Sequence, residues 1–198
     1  MAYYPNGRPK YSIPKDWKKR MHGEAKWWYQ NGLLQMKAEY KEGVLDGEMT
    51  RYYANGERQS VDRYKQGRLN GLSLEMNNKG KVLVEKMYRN DTLHGTSKLY
   101  DDRGQKLTEG NYTEGLFDGK WLYFSSAGTL VGEGNFVRGT GTKIAWDEEG
   151  KVIGKASYVE NLRHGEEIWY DGNGNISRIR TFDRGELVSD SIVSPGLQ

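Results

Sequence analysis

A short phrase that occurs twice in the chain decides its fold. The first copy, YKEGVLDGE, occupies residues Tyr40–Glu48, and the second, YTEGLFDGK, occupies Tyr112–Lys120, 72 residues further on. Each copy holds an aromatic residue, a charged turn and two glycines four positions apart. Matching positions at such a distance indicate an internal repeat, and a repeat constrains the architecture more strongly than any local propensity.

Glycine recurs in three columns with a period of 24 residues, shortened by two residues between Gly119 and Gly141. In the third column Asp91 and Asn161 replace glycine, and these two residue types best tolerate a positive φ. We therefore predict left-handed turn positions along this column, including Gly43, Gly67 and Gly115. The columns are Gly23, Gly47, Gly71, Gly95, Gly119, Gly141 and Gly165; Gly32, Gly56, Gly80, Gly104, Gly128, Gly150 and Gly174; and Gly43, Gly67, Asp91, Gly115, Gly139, Asn161 and Gly185.

Large residues follow the same period in two further columns, so one large residue occurs nearly every twelve positions. Each twelve-residue unit holds one strand-length segment and one glycine turn, which is typical of a β-hairpin. We predict an all-β fold, an elongated antiparallel sheet of seven consecutive hairpin repeats of about 24 residues over residues 23–188. The columns are Trp28, Tyr52, Met76, Tyr100, Phe124, Trp146 and Tyr170; and Tyr40, Tyr64, Tyr88, Tyr112, Phe136, Tyr158 and Phe182.

The loop length determines which face each column occupies. Phrases such as YQNGLL favour a three-residue loop that closes with a left-handed glycine. Such a loop would place both large-residue columns on one face of the sheet, whereas a two-residue loop would separate them. We expect the first arrangement, because a single sheet needs one face that carries most of its apolar area. It predicts the cross-strand pairs Tyr40 with Tyr52, Tyr64 with Met76, and Tyr112 with Phe124.

The ends of the chain depart from the repeat. Residues 1–22 contain one more aromatic and turn glycine, Tyr3 and Gly7, and are predicted to form an N-terminal half-repeat that acts as a cap. Ser189 replaces the expected glycine, so residues 189–198 are predicted to be a C-terminal tail.

The composition excludes several classes of protein. The 198 residues include 26 glycines, 14 tyrosines and 6 tryptophans, and a disordered chain lacks aromatic residues. No apolar run has the length of a membrane span, and the polar N-terminus is unlike a signal peptide. The chain has no cysteine, which excludes disulfides and thiol chemistry and fits the cytoplasm.

The spacing YxNGx…Y…G…(H/D/N)G resembles that of MORN repeats (membrane occupation and recognition nexus), over residues 1–188, and is most similar to the bacterial variant in antitoxins of the YwqK type. The resemblance implies a sheet of hairpins and, in bacteria, association with toxin systems as an immunity protein. Eukaryotic relatives imply phospholipid binding and membrane-associated assembly. The family offers no catalytic residue to transfer.

No group of side chains predicts catalysis or metal binding. The three histidines, His22, His94 and His164, each precede the first glycine of a repeat and lie three repeats apart, which predicts turn residues. DGNGN at Asp171 resembles the start of a calcium loop, but Ile176 and Phe182 stand where that loop needs glycine and glutamate. We expect no enzymatic activity, no cofactor and no metal site.

Partner-binding residues are predicted in two columns that alternate with the large-residue columns. The residue four positions after the first glycine varies between repeats, and aromatic residues and arginine, which are enriched at binding hot spots, are prominent there. Packing of these residues against one another is the alternative. The second column contains an acidic stripe that would meet a basic toxin domain or be a solvated face. The candidates are Trp27, Arg51, Leu99, Tyr123 and Trp169 in the first column and Glu85, Glu109 and Glu133 in the second.

Positive charge is concentrated near the N-terminus. Residues 1–46 hold nine Lys and Arg against five Asp and Glu, a net charge of +4, so the other residues sum to −1 in the total of +3. The densest basic segment, KDWKKR from Lys15, has the charge to contact anionic lipid or nucleic acid, or is a solvated turn. Two functions are therefore expected: a cytoplasmic immunity protein that binds a cognate toxin, without nucleic acid, or a membrane-peripheral or scaffolding module.

Overall fold

A computed structural model describes residues 1–193, and the described residues form seventeen strands and no helix. Within them, no helix has the length and apolarity needed to cross a membrane. The strands are β1 (Ala2–Tyr3), β2 (Pro9–Ser12), β3 (Gly23–Trp28), β4 (Leu34–Lys41), β5 (Val44–Tyr52), β6 (Arg58–Lys65), β7 (Arg68–Met76), β8 (Val82–Arg89), β9 (Thr92–Tyr100), β10 (Lys106–Thr113), β11 (Leu116–Phe124), β12 (Leu130–Val137), β13 (Thr140–Trp146), β14 (Val152–Val159), β15 (Leu162–Tyr170), β16 (Ile176–Asp183) and β17 (Glu186–Ile192).

The strands belong to two compact units. The N-terminal unit comprises Met1–Gly95 with Tyr100–Gly104, and the C-terminal unit comprises Thr96–Leu99 with the described residues from Gln105 onward. In the N-terminal unit each strand from β1 to β8 is antiparallel to the next one in sequence. The same holds for β10 to β17 in the C-terminal unit. The predicted fold class, an all-β antiparallel sheet of consecutive hairpins, is confirmed.

The first turn of each repeat is the predicted three-residue loop. In the first repeat the amide of Tyr29 donates to the carbonyl of Leu33 at 2.8 Å, and the amide of Gly32 donates to the carbonyl of Tyr29 at 2.9 Å. Gly32 has φ of 93° and closes the loop in the left-handed region. Asn31 Oδ1 accepts the amide of Leu33 at 2.9 Å, which explains the asparagine before this glycine.

The second turn of each repeat is a two-residue loop of type I′. In the opening phrase Lys41 pairs with Val44, so the loop is Glu42–Gly43, with φ of 54° and 89°. The amide of Gly43 donates to the carbonyl of Met21 in the preceding hairpin at 2.7 Å. The predicted left-handed column is confirmed, because its members all have positive φ: Gly43, Gly67, Asp91, Gly115, Gly139, Asn161 and Gly185.

The prediction that both large-residue columns share one face is wrong. Trp27 pairs with Met36, but Trp28 pairs with Leu34, so Gln35 is an extra residue, a β-bulge, in the first hairpin. One extra residue reverses which face the rest of the strand presents. Trp28 and Tyr40 therefore lie on opposite faces, and so do the later members of their columns.

The expected cross-strand pairs are wrong for the same reason. Tyr40 pairs with Gly23 on one side and Leu45 on the other, and does not face Tyr52. Tyr64 pairs with Gly47 and Leu69 instead of Met76, and Tyr112 pairs with Phe117 instead of Phe124.

A second bulge explains the repeat that is two residues short. In the opening phrase Tyr40 pairs with Leu45 while Ala38 pairs with Met49, so β5 contains two extra residues around Gly47. The pairing of β12 with β13 has no such shift, because Phe136 pairs with Gly141 and Val137 with Thr140. The two missing residues are therefore those of the bulge, and the turn itself is intact.

Few apolar side chains are buried. Most of them lie on the face that carries the Tyr40 column, and the others are isolated residues on the opposite face. In the C-terminal unit Trp121 contacts Tyr112 edge-on with ring centroids 5.1 Å apart, and Phe117 lies 4.7 Å from Trp121 and 5.3 Å from Phe136. Such pairs contribute roughly 0.5–1.5 kcal/mol each beyond their buried area. These local clusters stabilise the sheet in the absence of a second layer of structure among the described residues.

The two ends differ in how they continue the sheet. Within the N-terminal half-repeat of residues 1–22, β1 and β2 form a hairpin, and Tyr11 on β2 pairs with Trp27. At the other end β17 pairs with β16 and extends to Ile192, so part of the segment 189–198 that was predicted to be a tail is in a strand. Residues 194–198 of that segment lie outside the described residues.

We predict that Gly43→Val and Gly115→Val each lower the free energy of unfolding by roughly 1–3 kcal/mol, because a β-branched residue is strained at positive φ. Gly43→Asn and Gly115→Asn are the matched controls and should cost less, since Asn161 occupies the equivalent position with φ of 68°. Urea denaturation of the four variants measures the difference. Equal stabilities for the Val and Asn variants would contradict the left-handed assignment.

Candidate functional site

The predicted variable residues lie on the face that also carries the Tyr40 column, here called the variable face. In the N-terminal unit Trp27 pairs with Met36, Met36 with Arg51, and Arg51 with Ser60, so they form one row across the strands. This corrects the expectation that the variable column points away from both large-residue columns. It points away from the Trp28 column alone, because the bulge at Gln35 reverses the alternation.

The N-terminal unit has a shallow groove along this row. Trp27, Tyr29 and Met36 line one part of the groove, and Tyr53 and Glu75 line the next. Arg51 lies between the two parts, and its guanidinium is 3.6 Å from a carboxylate oxygen of Asp62. Asp62 is buried and also accepts the hydroxyl of Ser73 at 2.6 Å. The Asp62 carboxylate is therefore held in place, and it restrains the guanidinium of Arg51.

Tyrosine hydroxyls fix one wall of this groove. The hydroxyl of Tyr29 donates to the carbonyl of Tyr52 at 2.7 Å, and that of Tyr53 donates to the carbonyl of Met76 at 2.8 Å. Tyr4 makes the same bond to Trp28. Each tyrosine therefore connects one hairpin to the next, and the rings of Tyr29 and Tyr53 line the groove.

The C-terminal unit has a cleft with a floor of small residues between two aromatic walls. Tyr123 pairs with Gly132, Gly132 with Ala145, Ala145 with Gly154, and Gly154 with Trp169. The ring of Trp169 leans over Gly154, where an added Cβ would stand 3.4 Å from its Cε3 atom. Trp169 is 38% exposed, so much of its indole faces solvent at the edge of the cleft.

A lysine lies against the Tyr123 wall. Lys143 Nζ stands 3.8 Å from the centroid of the Tyr123 ring, a cation–π contact. Burial raises the pKa of Tyr123 to about 12. Burial, and then the nearby Arg163 guanidinium, lower the pKa of the Lys143 ammonium. Among the described residues, no carboxylate lies within ion-pair distance of Lys143 Nζ.

The arginines beside the cleft are paired. Glu167, which is buried, accepts Arg163 at 3.2 Å and lies 3.8 Å from Arg180. Asp190 binds Arg178 and also lies 3.3 Å from Arg180. With Lys143 and Lys155, the cleft and its border hold five cations against two carboxylates, so the cleft carries a net positive charge.

The acidic stripe lies on the opposite face in both units. Glu109 pairs with Leu122 and Leu122 with Glu133, which places these two glutamates in one row, as predicted. Their carboxylates have partners within the sheet, because Glu109 binds Lys106 and Glu133 lies 2.8 Å from Lys120. Glu85 in the N-terminal unit accepts the hydroxyl of Tyr100 at 3.1 Å. Leu99 on β9 is 43% exposed.

The histidine and aspartate residues that resemble metal ligands in the sequence have structural roles. His22 Nδ1 accepts the amide of Glu42, and His164 Nδ1 accepts the amide of Arg184, each at 3.4 Å. Asp118 Oδ1 makes the equivalent bond at 3.3 Å, so this column caps type I′ turns. Asp171 accepts amides within its own turn. Within residues 1–193, no three histidine or acidic side chains come close enough to hold a metal ion.

The basic N-terminal segment forms a tight turn. Asp16 and Arg20 close it through an ion pair of 2.8 Å, and the amide of Lys19 donates to the carbonyl of Asp16. Trp17 at its tip is 85% exposed, and Lys18 Nζ lies 4.7 Å from the centroid of its ring. An aromatic residue and a lysine therefore project together into solvent.

Sequence reasoning missed several residues of the variable face. Met36, Gly132, Gly154, Lys143 and Arg163 were not predicted as site residues. The first three could have been found from the repeat. They belong to another column of equivalent positions, whose members pair with the variable column across the first hairpin. The sequence does not reveal this pairing, because the bulge shifts the cross-strand partner of each variable residue by one position.

Comparison with known families agrees with this structure. The MORN repeat variant family matches four segments of the chain, residues 21–42, 45–66, 93–114 and 163–184. Each segment covers one first hairpin and ends in its type I′ turn, and the unmatched repeats have the same strand pairing. MORN repeats in general are non-catalytic modules that bind proteins or lipids. No curated protein matches the chain in sequence.

We predict that Glu109→Gln lowers the free energy of unfolding by roughly 0.2–1 kcal/mol at neutral pH, the range of a partly exposed ion pair. The hydrogen bond from Lys106 lowers the pKa of Glu109 below its usual 4.5. A depressed pKa stabilises the fold above the unfolded-state value, and this stabilisation is lost as the pH falls through the folded-state value. The stabilities of wild type and variant should therefore converge below pH 4.5, and a constant difference in urea titrations would contradict this.

Proposed function

We propose that this chain is a non-catalytic, protein-binding repeat module that neutralises a cognate bacterial toxin by direct binding in the cytoplasm. One observation carries the binding proposal: in each unit the variable face presents large side chains that the sheet itself does not require. Trp27 and Arg51 line the groove of the N-terminal unit, and Tyr123 and Trp169 bound the cleft of the C-terminal unit.

Three features support a protein partner. The groove and the cleft are shallow and lie on the outside of regular strands, as in surfaces that take an extended partner. Their side chains combine aromatic residues and arginine, the types that dominate protein interfaces. In the groove Arg51 is held by the buried Asp62 and Tyr29 by the carbonyl of Tyr52, so these side chains lose less entropy when a partner binds.

The toxin is the finer part of the proposal and rests on the resemblance to the bacterial repeat variant found in antitoxins. An immunity protein needs no catalytic group, because it inhibits by covering the active site of its toxin. The paired carboxylates Glu109 and Glu133 make the opposite face the less favoured surface for a basic toxin domain. We therefore place the toxin on the variable face.

We predict that at least one of four substitutions, Trp27→Ala, Arg51→Ala, Tyr123→Ala and Trp169→Ala, weakens partner binding by about 2 kcal/mol or more, on the order of thirtyfold. Truncation of a desolvated anchor removes its buried contact with the partner. Calorimetric titration against the product of the neighbouring gene measures the loss, and rescue of cells that express that product tests its consequence.

Lys120→Ala is the matched control, because Lys120 lies on the opposite face of the C-terminal unit with Glu133. It should bind like wild type. Melting temperatures of all variants separate lost contacts from lost fold, which matters most for Arg51→Ala because Asp62 is buried beneath it. Wild-type affinity in all four variants would contradict the variable-face assignment, and charge reversal at Glu85, Glu109 and Glu133 would then test the opposite face.

A second function is favoured by the N-terminal turn. Its exposed Trp17 and the adjacent Lys18 have the chemistry of a membrane-interface anchor, in which the indole lies at headgroup level and the ammonium contacts anionic lipid. On this alternative the chain is a membrane-peripheral or scaffolding module that uses its basic end.

If the second function holds, the protein should sediment with vesicles of phosphatidylserine and phosphatidylcholine but not with phosphatidylcholine alone. Trp17→Ala and Lys18→Gln should each reduce the bound fraction, since one removes the indole and the other about 1 kcal/mol of electrostatic attraction. Vesicle binding together with no binding of the neighbouring product would replace the toxin proposal. Equal binding to both vesicle types would exclude the basic turn as the anchor.

A further inference from the structure

We propose that the C-terminal cleft is a docking site for an extended acidic segment of a partner protein, with a carboxylate of that segment bound by Lys143. The proposal takes from the proposed function only that the partner is a protein. It names the chemistry of the segment and the residue that selects it, neither of which follows from the repeat pattern.

The unpaired ammonium is the first argument. Lys143 lies on β13 between Gly134 and Ala156, in the row beside the floor of the cleft. Its Nζ faces the Tyr123 ring, and within residues 1–193 it has no carboxylate partner at ion-pair distance. The Glu167 carboxylate acts on Lys143 electrostatically but is already bound by Arg163 and Arg180, so the half-buried ammonium has no ion pair of its own. It loses hydration that the aromatic ring replaces only in part. A carboxylate in the cleft would supply the missing counter-ion and two acceptor oxygens.

The second argument is that the neighbouring cations leave Lys143 as the selective group. Arg163 and Arg180 are held by Glu167, and Arg178 is held by Asp190. The net positive charge of the cleft attracts an acidic segment. Two lysines line the cleft, but Lys155 belongs to the row that alternates with that of Lys143, so Lys143 is the cation placed beside the floor to form a new ion pair. A nucleic acid backbone is recognised by several free cations in succession, which this face does not offer.

The third argument is the shape of the floor. Gly132, Ala145 and Gly154 present almost no side chain between Tyr123 and Trp169. These walls stand four strands apart, which corresponds to about 19 Å and to about six residues of an extended chain. A peptide across this floor can place an apolar side chain on Ala145 and a carboxylate two positions further along at Lys143, because residues two apart in an extended chain point to the same side. A flat lipid surface would contact the rims and not the recessed ammonium.

Two fluorescein-labelled hexapeptides test the proposal with the intact chain. The first is Ser-Phe-Ser-Glu-Ser-Phe, which presents its Phe and Glu side chains on one side, and the second has Gln in place of the Glu. Fluorescence anisotropy should show that wild-type protein prefers the Glu peptide about tenfold or more, as one charge-assisted contact predicts. Lys143→Met retains the aliphatic stem against Tyr123 and should abolish the preference. Lys120→Met, the matched lysine change on the opposite face, should retain it.

Three results would overturn the proposal: equal affinity of wild type for both peptides, an unchanged preference in Lys143→Met, or tighter binding of oligothymidylate or of anionic vesicles with the same dependence on Lys143. Trp169→Ala should weaken both peptides alike, since it removes a wall and not the charge. If Lys143→Met does not fold, nitrogen-15 spectra of wild type decide. The Glu peptide must shift the amides of Ala145 and Gly154, and shifts elsewhere alone would refute the site.

This test is independent of the proposed toxin. A negative titration against the neighbouring product leaves a positive peptide result intact, and would show an acidic-peptide site in a protein with another partner. Conversely, toxin binding without a Glu preference would retain the proposed function and remove Lys143 from it.

Discussion

The hydrogen bond between one type I′ turn and the hairpin before it is the interaction on which the rest of the structure depends. The amide of Gly43 bonds to Met21, that of Gly67 to Leu45 and that of Gly185 to Arg163, always 22 residues back. This bond forms only when the donor is left-handed, so the backbone conformation of one residue sets the stacking of successive hairpins. In four repeats the residue before the first glycine, His22, Asp46, Asp118 or His164, accepts the amide of the other turn residue, so both positive-φ amides are satisfied there.

Bulges then decide what each face presents. The extra residue in the first hairpin places the Tyr40 column and the variable column on the same face, and the second bulge absorbs the difference in strand length. Structural tyrosines and variable residues therefore alternate along one surface. A change at Trp27 or Trp169 alters that surface without touching a turn glycine, although both residues adjoin the bulge of their hairpin.

Much of the fold was predictable because glycine and aromatic residues have few substitutes at strained or buried positions. Asp91 and Asn161 identified the left-handed column, and the Asn-Gly phrases identified the three-residue loop. The faces were not predictable, since nothing in the identity of Gln35 marks it as a bulge, and one undetected residue reverses every later assignment. The site was predictable in part: Trp27, Arg51, Tyr123 and Trp169 do share one face within their units, whereas Lys143 becomes conspicuous only when its neighbours are known.

The two faces also differ in how their charged side chains are paired. This difference favours the variable face as the surface that binds a partner. On the opposite face Glu109 and Glu133 are neutralised by lysines of neighbouring strands, so a partner would have to break an ion pair for each new one it formed. On the variable face the arginines are held by Glu167 and Asp190, while Lys143 is left with an aromatic ring. A ligand carboxylate there displaces no ion-pair partner of Lys143, so its electrostatic gain is reduced only by repulsion from Glu167, which Arg163 and Arg180 already neutralise. Within the cleft, selectivity therefore comes from the lysine that has an aromatic ring and no ion pair.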